Sequence, residues 1–243
     1  MLPAFAIVEA VQGNLSANLE RVRSKIRETA ARAGRDANEI KLVAVSKTHP
    51  TAVLIDTITA GATVFGENKV QEAEPKISEI GREDAEWHLI GHLQSNKARK
   101  AVQLFDVIQS VDSLDLATRL ERICVEENRT SLPVFVQVDL AGEETKSGVS
   151  EQDLPGLLSY LRVCRRLRFD GLMVLPPFFD NAEDARPFFR RLRDMRDDLK
   201  TQGFFANGIG ELSMGMSHDF EIAIEEGATV VRVGTAIFGE RGN

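Results

Sequence analysis

The sequence predicts an α/β protein built as a single (β/α)8 TIM-type barrel with an extra N-terminal helix. Three observations carry this. Short apolar runs alternate with longer amphipathic segments and their count reaches eight. The runs are continuously apolar, as parallel strands covered by helices are. No run is followed by the Gly-x-Gly-x-x-Gly turn of an open dinucleotide-binding sheet, since Gly208-Ile-Gly210 lacks both the third glycine and a helix start. No Gly-, Ser- or Pro-rich linker and no shift of composition divides the chain, so residues 1–243 are expected to form one domain.

The first element reads as a helix. Leu15, Leu19, Val22, Ile26 and Ala30 recur at steps of three and four, with Asn14 as N-cap and Gly34 as the stop. Strands are then expected at 41–46, 63–66, 87–90, 107–111, 134–138, 171–174 and 229–233, with 209–212 as a weaker eighth. Between them lie helical stripes. Leu114, Ala117, Leu120 and Ile123 form one, and Phe188, Leu192, Met195 and Leu199 form another.

Composition narrows the function. Of 243 residues, 43% are hydrophobic and 28% charged, which excludes collagen-like, rod-like and disordered classes. A net charge of -7, from 30 Lys and Arg against 37 Asp and Glu, argues against non-specific nucleic-acid binding. The apolar start ends at Glu9 without a basic region or a small-residue cleavage site, and no run approaches a membrane span. The two cysteines, Cys124 and Cys164, fit buried thiols of a reducing compartment, and no Cys or His spacing fits a metal. A cytoplasmic protein without nucleic-acid or membrane partners is expected.

In a barrel, chemistry gathers where the strands end. There the sequence places Lys47-Thr48-His49, Glu67-Asn68, the stretch from Gly91 to Lys97, Asp112, Asp139 with Lys146-Ser147-Gly148, the segment from Ser213 to Ser217, and Arg232 to Thr235. Lys47 stands out because an amine emerging at a partly desolvated barrel mouth is a better nucleophile. The Ser/Gly turn from Glu211 to Ser217 leads into a helix over 219–226 and offers N–H groups to an anion, although Ser217 also reads as an ordinary N-cap. Gly234 and Thr235 repeat the pattern on the next strand, and such a pair after strands seven and eight matches a phosphate cradle. Arg232, inside a strand, is either paired with a carboxylate such as Asp139 or Glu211 or directed at a ligand. Gln137 and Asp139 alternate along strand five, so one of them lines the barrel. His88 and His92 read as structural.

A lysine amine beside a phosphate cradle points to pyridoxal 5′-phosphate. A colourless phosphosugar enzyme using Lys47 on its substrate is the other reading of the same groups. Five segments sharpen the choice: Lys41-Leu-Val-Ala-Val-Ser-Lys47-Thr, Phe65-Gly-Glu-Asn68-Lys-Val-Gln-Glu72, Trp87-His-Leu-Ile-Gly-His-Leu-Gln-Ser-Asn-Lys97, Leu212-Ser-Met-Gly-Met-Ser217-x-Asp219 and Val231-Arg-Val-Gly-Thr-Ala-Ile-Phe-Gly239. In this order they resemble the pyridoxal-phosphate homeostasis proteins, over nearly the whole chain from about residue 14 to 241.

The resemblance implies a barrel like the N-terminal domain of alanine racemase, with pyridoxal 5′-phosphate as a Schiff base on Lys47. It implies Asn68 near the ring, Arg232 facing the pyridine nitrogen, and Ser213, Gly234 and Thr235 on the phosphate, with Met214 packing nearby. It further implies a monomer without a robust enzymatic activity and with no metal. Such a protein keeps a reactive aldehyde bound and supplies it to pyridoxal-phosphate-dependent apo-enzymes. A guanidinium opposite the pyridine nitrogen disfavours the proton that makes the ring a strong electron sink. A two-base racemase is not expected either, because the only tyrosine, Tyr160, falls in a mid-chain helix. A one-base racemase or lyase is the alternative.

Overall fold

Each of the eight apolar runs forms a strand, and the strands pair in chain order into a closed parallel barrel. They are β1 (Lys41–Val45), β2 (Val64–Glu67), β3 (Glu86–Leu89), β4 (Val107–Val111), β5 (Leu132–Gln137), β6 (Leu167–Met173), β7 (Glu211–Ser213) and β8 (Val230–Val233). Closure comes from β8 beside β1, with Val43 opposite Arg232 and Ala44 opposite Val233. The computed structural model describes residues 4–142, 147–205 and 208–239, with 4–14 as backbone alone. Helices α1 (Ala4–Arg32), α2 (Thr51–Thr59), α3 (Val70–Ile80), α4 (Ala98–Leu104), α5 (Leu114–Glu126), α6 (Leu154–Leu161), α7 (Arg186–Thr201), α8 (Phe220–Glu225) and α9 (Thr235–Phe238) surround it.

Alternation along the strands sorts the apolar residues into two cores. Val43, Val107, Phe135, Met173 and Val230 fill the barrel interior. A larger layer between barrel and helices includes Phe65, Trp87, Ile108, Leu120, Phe189 and Leu212. The inward positions nearer the C-terminal strand ends are polar instead: Gln109, Gln137, Ser213 and Arg232 are all buried there. That polar layer is the floor of the site.

The N-terminal helix buries Leu15, Leu19, Val22, Ile26 and Ala30, as its period requires, and packs against α8 and α9. Asn18 Nδ2 donates to Ile237 O (3.0 Å), and Lys25 pairs with Glu221 (2.7 Å). Asn14 is not its cap, since the helix begins at Ala4; alanines, Glu9 and Gln12 favour helix and carry it through Gly13-Asn14. Gly34 does end it, at φ 67°, letting Arg35 N reach back to Ala30 O (2.8 Å).

Two stripes shift in detail. Leu114 is exposed, because it stands in the first turn after the Ser113 cap, and Leu116 takes its place in the core. In α7, Phe189 is fully buried while Phe188 is only partly so. The weak eighth strand lies at Glu211–Ser213 and not at 209–212, because Gly210 at φ 73° still belongs to the preceding turn.

β6 and β7 approach so closely that side chains are excluded at one point. A Cβ on Gly171 would lie 2.2 Å from Glu211 O. Gly171→Ala is therefore expected to cost about 2–3 kcal/mol through forced backbone separation. A thermal melt should show this as a midpoint about 5–10 °C lower; an unchanged midpoint would contradict the close approach.

Candidate functional site

Lys47 follows β1 by two residues and is half-buried at the C-terminal mouth of the barrel. Its amine makes no hydrogen bond or ion pair among the described residues. Thr48, next to it, has φ 68°, a strained conformation for a β-branched residue. The turn is closed by His49 N, which donates to Ser46 O (3.1 Å). Such a pinned turn aims the lysine stem rather than leaving it to wander.

Below Lys47 lies a buried ionic knot that the sequence reading did not pick out. Lys76 Nζ on α3 donates to Glu67 Oε1 (2.6 Å) and to Ser46 O (2.9 Å), while Ser46 Oγ donates to Glu67 Oε1 (2.6 Å). Glu67 is fully buried, and burial pushes its carboxyl above the usual range despite Lys76 and Ser46. Its Oε2 has no partner. Lys76 thus clamps the ends of β1 and β2, the strands that carry Lys47 and Asn68.

Asn68 is half-buried at the end of β2, and its side-chain amide makes no hydrogen bond among the described residues. Its backbone touches Gly91, where a Cβ would fall 2.3 Å from Asn68 O. On β5, across the barrel, Gln137 lines the interior, as one of the β5 pair was expected to. Its Nε2 donates to Ser147 O (2.5 Å), and its Oε1 is a buried orphan. Asp139 instead caps its own turn, accepting from Ala141 N and Gly142 N (both 3.0 Å). Lys146 lies outside the described residues.

Arg232 is 2% exposed and pairs with neither Asp139 nor Glu211. Nη1 donates to Ser213 Oγ (2.6 Å) and Nη2 to Val174 O (2.9 Å). Burial lowers its pKa to about 10, with Asp219 the opposing charge nearby, so the guanidinium remains a cation at neutral pH. Ser213 is wholly committed inward, because its hydroxyl also donates to Gln109 Oε1 (2.6 Å). Met214 is buried in the helix-facing layer, and its N–H goes to Val230 O (3.1 Å).

Gly234 and Thr235 start α9 beside β1, with an added Cβ on Gly234 in contact with Val45 O at 3.4 Å. Ser217 does not cap α8, whose N-cap is Asp219. Its hydroxyl crosses to the neighbouring turn and accepts from Gly234 N (3.1 Å) and Ala236 N (3.4 Å). Backbone N–H groups, the Ser217 hydroxyl and Thr235 therefore converge between β7 and β8, a donor set suited to an anion. The mouth brings together the Lys47 amine, the Asn68 amide, the buried Arg232 cation and this cradle. Tyr160 sits on α6, outside the barrel. Cys124 and Cys164 are free thiols, the second only half-buried. No group of three metal-ligating side chains occurs among the described residues, and no described helix is long and apolar enough to cross a membrane.

Residues 17–242 match the family described as alanine racemase, N-terminal domain. The pyridoxal phosphate homeostasis protein of Aquifex aeolicus is 42% identical over 228 residues, covering 94% of this chain and 99% of that one. PipY of Synechococcus elongatus, solved with pyridoxal phosphate bound, superposes with a TM-score of 0.82 at 40% identity, over 93% of this chain and 100% of that one. Alanine racemase of Corynebacterium glutamicum shares the fold alone, with a TM-score of 0.68 at 18% identity, over 95% of this chain and 62% of that one.

Proposed function

The chain belongs to the alanine racemase N-terminal domain family, and from that premise we propose that it is a pyridoxal phosphate homeostasis protein, holding the cofactor on Lys47 without turning over a substrate. The observation that carries the reading is the Lys47 amine, unpaired among the described residues and aimed by a strained turn at the mouth of a closed barrel.

The residues present fit the cofactor. Lys47 would anchor it, and the donors of Gly234, Thr235 and Ala236 would hold its phosphate, with Ser217 as their present acceptor. Asn68 would lie by the ring and Arg232 would face the pyridine nitrogen. Ser213 would act beneath them by fixing Arg232, and Met214 would fill the space under the turn. When bound, pyridoxal phosphate supplies an aldehyde that condenses with an amine to a Schiff base, releasing water, and a ring that can draw electrons from it.

What the protein's own groups do favours storage over catalysis. Arg232 has donors only, and a buried cation at that place repels a proton from its neighbour. No tyrosine stands at the mouth, so no second base of the racemase kind is supplied from the described residues. Engagement of the aldehyde by the Lys47 amine would keep it from other amines until an apo-enzyme recipient takes the cofactor. Action in the cytoplasm as a monomer completes the proposal.

The test is turnover. The loaded protein, incubated with alanine in deuterium oxide, should exchange the α-proton no faster than free pyridoxal phosphate does, while reactivating an added apo-enzyme of that cofactor. Enzymatic exchange rates would replace this reading with a one-base racemase or lyase.

A further inference from the structure

A second polar structure runs through the barrel interior, away from Lys47. His88, on β3, is 1% exposed and Gln109, on β4, is 0% exposed, so neither is placed to serve solvent. Arg232 Nη1 donates to Ser213 Oγ at 2.6 Å, and Ser213 Oγ donates to Gln109 Oε1 at 2.6 Å. Gln109 Nε2 then meets His88 Nδ1 at 2.6 Å, and His88 Nε2 meets Glu86 Oε1 at 2.7 Å. Glu86 and Lys41 open β3 and β1, so this chain ends at the other mouth of the barrel, where Lys41 Nζ pairs with Glu86 (2.9 Å).

The direction of every bond is fixed from the Glu86 end. The bond from His88, with Lys41 beside it, holds the Glu86 carboxyl down at about 2, so it is an anion that can only accept. His88 Nε2 must therefore carry a proton. Burial disfavours a second one on the ring despite Glu86 and the more distant Asp106, and Lys41 adds to that. Nδ1 is then a bare acceptor, which obliges Gln109 to turn its NH2 toward it and its oxygen toward Ser213. The Ser213 proton goes to that oxygen, leaving its lone pair for Arg232. All the dipoles point their negative ends at the guanidinium.

We infer that His88 and Gln109 are positioning residues for Arg232: with Ser213 they tie its guanidinium to the Glu86 carboxylate at the opposite mouth and fix which of its N–H groups remain for the cofactor side. Asp219 is the nearby opposing charge, and the oriented neutral groups add a second tie that helps a buried arginine stand without a carboxylate in contact. Only the statement of what Arg232 faces rests on the proposed cofactor site. The internal chain does not.

The full-length protein labelled with 15N and without added cofactor tests it first. His88 is expected as a pure Nε2–H tautomer at neutral pH, taking a second proton only below the ordinary histidine range. A proton on Nδ1 at neutral pH would overturn the inference, and this reading needs no variant. His88→Leu and Gln109→Leu should speed hydrogen exchange of the Arg232 guanidinium about tenfold. His88→Gln, which carries an acceptor and a donor, should restore most of the protection. Val107→Ala, an interior neighbour outside the chain, should lower the melting temperature without this acceleration. Exchange within twofold of the unaltered protein in a folded His88→Leu would overturn the proposal. In protein loaded with pyridoxal phosphate, cofactor loss should rise about tenfold in the same variant with Lys47 intact. Accelerated Arg232 exchange without faster cofactor loss would count against the cofactor role of Arg232 and leave its tie to Glu86 standing.

Discussion

Lys47→Ala should retain no pyridoxal phosphate through borohydride reduction and gel filtration, while keeping the melting temperature of the unaltered protein in the absence of cofactor. The stability expectation follows from its surroundings. The amine makes no hydrogen bond or ion pair among the described residues, so its removal leaves no buried group unsatisfied. The cradle between Ser217 and Thr235 is untouched by the change and should still bind the phosphate reversibly. Loss of the covalent anchor should weaken retention at least about 100-fold, equivalent to about 2.7 kcal/mol. Equilibrium dialysis measures it. Retention within a few-fold of the unaltered protein would mean that another amine does the anchoring.

Lys76→Met should have the largest effect on stability. It would leave the Glu67 carboxylate fully buried with only the Ser46 hydroxyl beside it, and breaking a buried pair from one side costs about 3–5 kcal/mol. The pH dependence has a definite sign. The folded Glu67 carboxyl already binds its proton more tightly than an unfolded one, because burial outweighs Lys76 and Ser46. Without Lys76 that preference grows, so the folded state holds the extra proton over a wider range. The variant's stability therefore falls as pH rises through the raised folded value and recovers as pH drops toward the ordinary glutamate range. Glu67→Gln should spare most of the cost in the Lys76→Met background. Urea unfolding at about pH 5 and pH 8 reads both effects; equal losses at the two pH values would place the cost in lost packing of the lysine stem instead.

The sequence made the barrel legible because its strands are buried on both faces. Continuous apolar runs such as 171–174 need no partner to be recognised, and all four of these residues are indeed buried. Boundaries were less visible where a turn carries apolar residues, as at Ile209, or where a cap decides the register, as at Leu114. The mouth was legible for a related reason: a lysine, an asparagine and Gly-Thr immediately after strands have few structural uses. The polar interior was not. Gln109 stands in an apolar run, and His88 resembles any strand histidine until Glu86, Gln109 and Ser213 are brought together from separate strands. Their contacts depend on the barrel closing. The same holds for Lys76, a helix lysine whose amine is turned under the end of β1.

The most direct measurement is a visible absorbance spectrum of the protein after addition of pyridoxal phosphate, before and after borohydride, with the reduced peptide sequenced. A yellow band that borohydride abolishes and a single modified residue, Lys47, are expected. A protein that stays colourless, or an adduct on another lysine with Lys47 unmodified, would contradict it.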